Sequence, residues 1–175
     1  MTASEAIRKR SSTRGYTAQQ LTGEELRALI HAGLQAPTAT NRQEIHFSVL
    51  KSDNPLLKEL EEEKNRLRNI VKPEKNFYYD APVVIILSAE SAFRWGPVDA
   101  GIAVENIAVA AEELGLGSVI IGCIFDALRG EKRAYFEKAL RIPEGYAYEI
   151  AIAVGHKAVE KEPHAYDEAA QVSYL

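Results

Sequence analysis

From Val98 to Leu114 the chain is apolar almost all round, interrupted only by Asp99, Glu105, Asn106, Glu112 and Glu113. A helix without a polar face has to be covered by a core or by another subunit. At 1.5 Å per residue it would run about 25 Å, enough to cross a small domain. Gly115 follows it as a C-cap, and other segments must supply the cover. Ala81-Pro82-Val83-Val84-Ile85-Ile86-Leu87 reads as a strand buried on both faces. Ser118–Cys123 and Tyr148–Val154 read as two further buried strands, and His46–Lys51 alternates as a strand does. Helices are predicted over 3–9, from the capping box Thr22-Gly23-Glu24-Glu25, from Asn54-Pro55 through Arg68, and over 126–139. The segment up to Tyr79 has weak signals and reads as a mobile flap. Beyond His156 no core pattern remains, and such a tail is expected to pack on a partner chain. The expectation is one domain, residues 1–175, of the α+β class: a mostly antiparallel sheet of four strands with helices around it.

A net charge of -4 argues against a nucleic-acid surface, which needs an extended basic face. The single cysteine, Cys123, rules out an intrachain disulfide framework and a multi-cysteine metal site. No apolar run reaches the ~18 residues of a membrane span, and Met1–Glu5 does not open a signal peptide. A cytoplasmic protein that meets neither membrane nor nucleic acid is the simplest expectation.

Familiar chemistry is missing. There is no G-x-x-x-x-G-K-[ST] loop, no G-x-G-x-x-G between strand and helix, and no G-x-S-x-G elbow. Gly115-Leu116-Gly117-Ser118 lies between a helix and a strand, the reverse order, and reads as a tight turn. His31, His46, His156 and His164 lack ligand spacing, and no metal site is expected. Paired carboxylates occur only in charge runs such as Glu61-Glu62-Glu63. No side chain stands out as catalytic, so an enzyme built this way would leave the hard chemistry to a cofactor.

One stretch inverts the local charge. Residues 1–16 hold Arg8, Lys9, Arg10 and Arg14 against Glu5 alone. Arg10 and Arg14 flank Ser11, Ser12 and Thr13. Guanidinium groups bind phosphate or carboxylate through paired hydrogen bonds, and hydroxyls add donors. From the residues alone, both an anion cradle and a solvated helix end remain open.

Three motifs, in order, resemble the nitroreductase family of FMN-dependent oxidoreductases. Arg10-Ser11-Ser12-Thr13-Arg14-Gly15-Tyr16 is similar to R-x-S-x-R-x-[FY]; Ala36-Pro37-Thr38-Ala39-Thr40-Asn41-Arg42-Gln43 is similar to A-P-S-x-x-N-x-Q. Asp99-Ala100-Gly101 through Asn106, Leu114–Ser118 and Gly122 resembles the family's central helix, turn and strand. The resemblance implies a homodimer with FMN at the subunit interface. Arg10 and Arg14 would pair with the FMN phosphate, and Ser11 or Ser12 would hydrogen-bond it or the flavin. Pro37, Thr38, Ala39, Asn41 and Gln43 of the other subunit would meet the ring. Ile121, Gly122 and Cys123 would run along the isoalloxazine, a backbone N–H bonding N5. NADH or NADPH would deliver a hydride, and a nitroaromatic, quinone or similar conjugated acceptor would then take it in a ping-pong sequence. A non-catalytic FMN-storage protein and a flavin-free phosphate-binding regulatory module are the alternatives.

Two departures from the family's pattern matter. Glu44-Ile45 stands where Pro-Trp is frequent, and Lys161-Glu162-Pro163-His164 stands where a basic K-x-R helps hold the phosphate and the N1/O2 edge. A histidine there would be a weaker partner for an anion than the fixed charge of an arginine.

Overall fold

Strand β2 (Val83–Glu90) lies inside the sheet, and its side chains decide the layering. In the computed structural model, which describes residues 1–175, Val83, Ile85 and Leu87 face one apolar cluster while Val84 and Ile86 face another. The neighbouring strands are β1 (His46–Lys51), β3 (Leu116–Ile121) and β4 (Tyr146–His156). Their order is β1-β2-β4-β3, and every pairing is antiparallel. A bulge at Leu87/Ser88 shifts the register against β4.

Helices cover both faces. On one lie α2 (Gly23–Leu34) and α4 (Gly96–Glu113). Small residues of α4, Ala100, Ala103, Ala108 and Ala111, let it approach the sheet, and Ile107 fills the remaining space. On the other face lie α3 (Pro55–Leu67), α5 (Phe125–Arg129) and α6 (Arg133–Ala139). Short helices α1 (Ala3–Lys9) and α7 (Glu168–Gln171) stand near the termini. The capping boxes are built as their sequences require: Thr2 with Glu5 starts α1, and Thr22 with Glu25 starts α2.

The structure corrects several expected boundaries. Leu114 and Gly115, the latter at φ 75°, make the turn after α4, so Leu116 and Gly117 already belong to β3, which ends at Ile121 and not at Cys123. The helix expected over 126–139 is two helices, because Gly130 takes an extended conformation between them. The segment expected to be a flap is pinned at its end: Phe77 is buried, and its N–H donates to Glu61 at 2.9 Å. No helix of the chain is long and apolar enough to cross a membrane.

Glu63 joins the α3–α6 layer. Its buried carboxylate takes Arg66 Nη2 at 2.7 Å and Lys132 Nζ at 2.8 Å. Hydrogen bonds from Arg66 first, then Lys132, bring its pKa from 4.5 down to about 2. A depressed carboxylate stabilises the fold above its unfolded value, and that stability is lost as pH falls through the folded one. Glu63→Gln should therefore lower Tm by several degrees near neutrality, with the gap closing between pH 4.5 and 2. Calorimetry across that range checks this; a gap independent of pH would contradict it.

Candidate functional site

The hydroxyl-rich stretch is laid as a strap along the free edge of β3. Arg10 closes α1, its N–H bonded to the Ala6 carbonyl at 2.8 Å. Thr13 N–H then donates to the Ser118 carbonyl at 2.8 Å, and Ser12 bridges Ser118 in parallel. Further along, Ala158 N–H donates to the Gly15 carbonyl at 3.0 Å and Thr17 N–H to that of His156 at 2.9 Å. The Tyr16 hydroxyl donates to the carbonyls of Thr13 (2.9 Å) and Ala153 (3.3 Å). Thr13 is buried against Gly117, where a Cβ would stand 2.6 Å from its Oγ1. The close approach of strap and strand therefore needs glycine there.

Fixing the strap sorts its side chains. Thr13 is spent on packing. Ser11 and Ser12 are half-buried and their hydroxyls make no hydrogen bond within the chain. Arg10 Nε lies 3.4 Å from Glu105 Oε1 on α4. Arg14 is exposed, pairs with no carboxylate, and has its guanidinium 5.9 Å from the Tyr79 ring centroid. Lys75 donates to the Arg14 carbonyl at 3.3 Å. Lys75, Tyr79 and Glu105 were not legible as neighbours of the strap: no spacing signal connects them to Arg14 or Arg10, and the fold alone brings them there.

The other end of β3 carries the third group. Ile121 is buried, and its carbonyl accepts the Tyr148 hydroxyl at 2.9 Å. Gly122 is exposed, and a Cβ there would meet nothing within 4 Å. Cys123 is half-buried; burial pushes its thiol above the ordinary value. A thiol so raised is no nucleophile near neutrality.

The second motif forms a strained turn. Thr38 Oγ1 accepts the Gln43 N–H and Asp99 Oδ2 accepts the Ala39 N–H, each at 2.9 Å. Pro37, Asn41 and Gln43 are exposed, with Thr38 and Ala39 half-buried. Within one chain this turn makes no side-chain hydrogen bond or ion pair with the strap or with Ile121–Cys123. Lys161 and His164 also stay apart: both are exposed, and neither forms an ion pair or side-chain hydrogen bond. The tail's fixed cation is Lys157, whose Nζ meets both Glu112 oxygens at 2.9 Å.

A model of the Nitroreductase family matches residues 7–156. A protein of Archaeoglobus fulgidus, provisionally named NADH dehydrogenase/NAD(P)H nitroreductase, is 29% identical over 89% of this chain and 86% of its own length. An NADPH-flavin oxidoreductase of Vibrio harveyi is 29% identical over 87% of this chain and 64% of its own. Among solved structures, a nitroreductase with bound FMN from Desulfitobacterium hafniense superposes with TM-score 0.89 at 28% identity, covering 100% of this chain and 99% of that one. One from Bacteroides fragilis, also with bound FMN, gives 0.87 at 28% identity, with coverage of 100% and 99%.

Arg14 is the cation of the strap least committed within the chain. Arg14→Ala should weaken FMN binding about tenfold or more while leaving Tm nearly unchanged. A fluorescence titration with FMN checks this; undiminished affinity would take Arg14 out of the site.

Proposed function

Because the chain belongs to the nitroreductase family, it is an FMN-dependent oxidoreductase, and we propose that it passes a hydride from NADH or NADPH to a nitroaromatic, quinone or similar conjugated acceptor. The observation that carries the site assignment is the strap on β3. It holds an unpaired Arg14 and two free hydroxyls at Ser118, while the exposed Gly122 backbone lies four residues further along. At about 3.3 Å per residue the two ends are roughly 13 Å apart. That suits a ligand with an anionic tail and a planar head, and the residues present fit FMN.

In this reading Arg10 and Arg14 grip the phosphate, with Ser11 and Ser12 donating to it. Lys161 and His164 reach the same end only if the exposed tail folds back. Ile121, Gly122 and Cys123 line the ring through backbone, which keeps a fixed neutral donor beside it. Bound FMN supplies the hydride chemistry that no side chain here provides. The protein's part is positioning and water exclusion, with the two substrates using one space in turn.

We infer that a second copy completes the site. Val98 and Ile102 on α4, Ile7 on α1, and Leu34 and Trp95 leave apolar surface uncovered. A homodimer would cover it, bringing Pro37, Thr38, Ala39, Asn41 and Gln43 of one copy to the ring held by the other. The exposed tail with Tyr166 and Tyr174 would pack on the same partner. We read the chain as one domain acting in the cytoplasm.

Protein purified with added FMN should be yellow, and stopped-flow mixing with NADH or NADPH should bleach it, with colour returning on addition of a quinone. Colourless protein would overturn the flavin reading; a spectrum that neither nucleotide bleaches would leave a carrier and overturn the reaction.

A further inference from the structure

The turn of the second motif is held against its own strain. Thr40, Asn41 and Gln43 have φ of 57°, 55° and 53°, left-handed values that side-chain-bearing residues avoid. Such a turn persists only while its surroundings over-determine it. One clamp is local, Gln43 N–H to Thr38 Oγ1. The other comes from α4, where the buried Asp99 carboxylate takes the Ala39 N–H.

Glu44 follows directly, where the family often has proline. It is 8% exposed, and neither of its buried oxygens accepts a hydrogen bond. An ionised carboxylate can only accept, and the one donor acting on it, its own backbone N–H, forms no well-aligned hydrogen bond with either oxygen. A neutral acid can donate, and the one side chain within hydrogen-bonding reach of its carboxyl is Asp99. Burial first pushes the Glu44 carboxyl above the ordinary range; its own backbone N–H pulls it back, Asp99 raises it again, and Arg42 adds a smaller pull downward. Arg42 is itself engaged by Glu90 and lies 4.4 Å over the Phe93 ring. Asp99 on α4 and Arg42 on its own loop are the charged groups acting on Glu44.

We propose that Glu44 is a positioning residue which, as a neutral acid, shares its proton with Asp99 and so latches the Thr38–Gln43 turn onto α4. Ionisation gives the proton to solvent and sets two carboxylates against each other at the one clamp reaching the turn from α4. The Ala39 bond then weakens and the strained turn opens. A carboxyl raised by folding binds a proton that the unfolded chain has released, so the latch is closed at low pH and lost as pH rises through its folded pKa. That the latch governs access to the ring rests on the flavin reading above.

The test is the hydrogen-exchange protection factor of the Ala39 amide, measured by NMR on the full chain across acid to alkaline pH. In the unmodified protein it should fall about tenfold or more as Glu44 ionises. Glu44→Gln donates to Asp99 at every pH and should hold protection constant. Glu44→Leu has no proton to share and should leave Ala39 weakly protected throughout. A flat profile in the unmodified protein, or a Glu44→Gln profile that falls alongside it, would overturn the latch; the first needs no variant to fold. FMN uptake read on the same samples separates the two claims. A falling Ala39 profile in protein that takes up no FMN supports the latch and removes the flavin. A flat profile in yellow protein removes the latch alone.

Discussion

An apolar helix packed under a sheet cannot leave a carboxylate beneath it without a partner, and α4 carries two buried ones. Asp99 and Glu112 are buried, and Glu105 is half-exposed between them. Each is matched by a different segment: Asp99 by the Ala39 amide, Glu105 by Arg10, Glu112 by Lys157. The helix that organises the core therefore also fixes the second-motif turn, the strap and the start of the tail. At 1.5 Å per residue these three anchors spread over about 20 Å.

Magnitudes separate their roles. Removing one partner of a buried pair costs about 3–5 kcal/mol, whereas an exposed pair contributes about 0–1 kcal/mol. Glu112 and Lys157, with side chains 8% and 15% exposed, belong to the first class and hold structure. Glu105 is 48% exposed, so its grip on Arg10 is of the weak, exchangeable kind. A phosphate can take Arg10 over at little cost to the fold. Arg14 is freer still, facing only the Tyr79 ring. The strap's backbone belongs to the sheet edge, while its cations remain available to a ligand.

Most elements could be read in the sequence because their signals are local. The β-branched run at Val83–Leu87 could only be a doubly buried strand, and Thr22 with Glu25 could only start a helix cleanly. What escaped depended on distant partners. Nothing near Gly117 says that Thr13 will press against it, so Leu116 and Gly117 read as turn instead of strand. Gly130 looked tolerable within a helical pattern, yet its extended backbone splits α5 from α6. Arg10 and Arg14 were legible as a pair, but their inequality was not: it depends on Glu105, ninety-odd residues along the chain. Glu44 registered as a departure from the motif; its burial against Asp99 is a product of the fold. The histidine and lysine chosen from the tail lie exposed, while Lys157, four residues earlier than Lys161, makes the fixed contact.

The central claim is that the strap and the far end of β3 hold the two ends of one FMN. A crystal structure of the protein grown with FMN tests this most directly. The phosphate should lie between Arg10 and Arg14 beside Ser118, with Arg10 drawn off Glu105, and the ring against the Gly122 backbone. A phosphate bound elsewhere, with Arg10 still on Glu105 and Arg14 still in solvent, would contradict it.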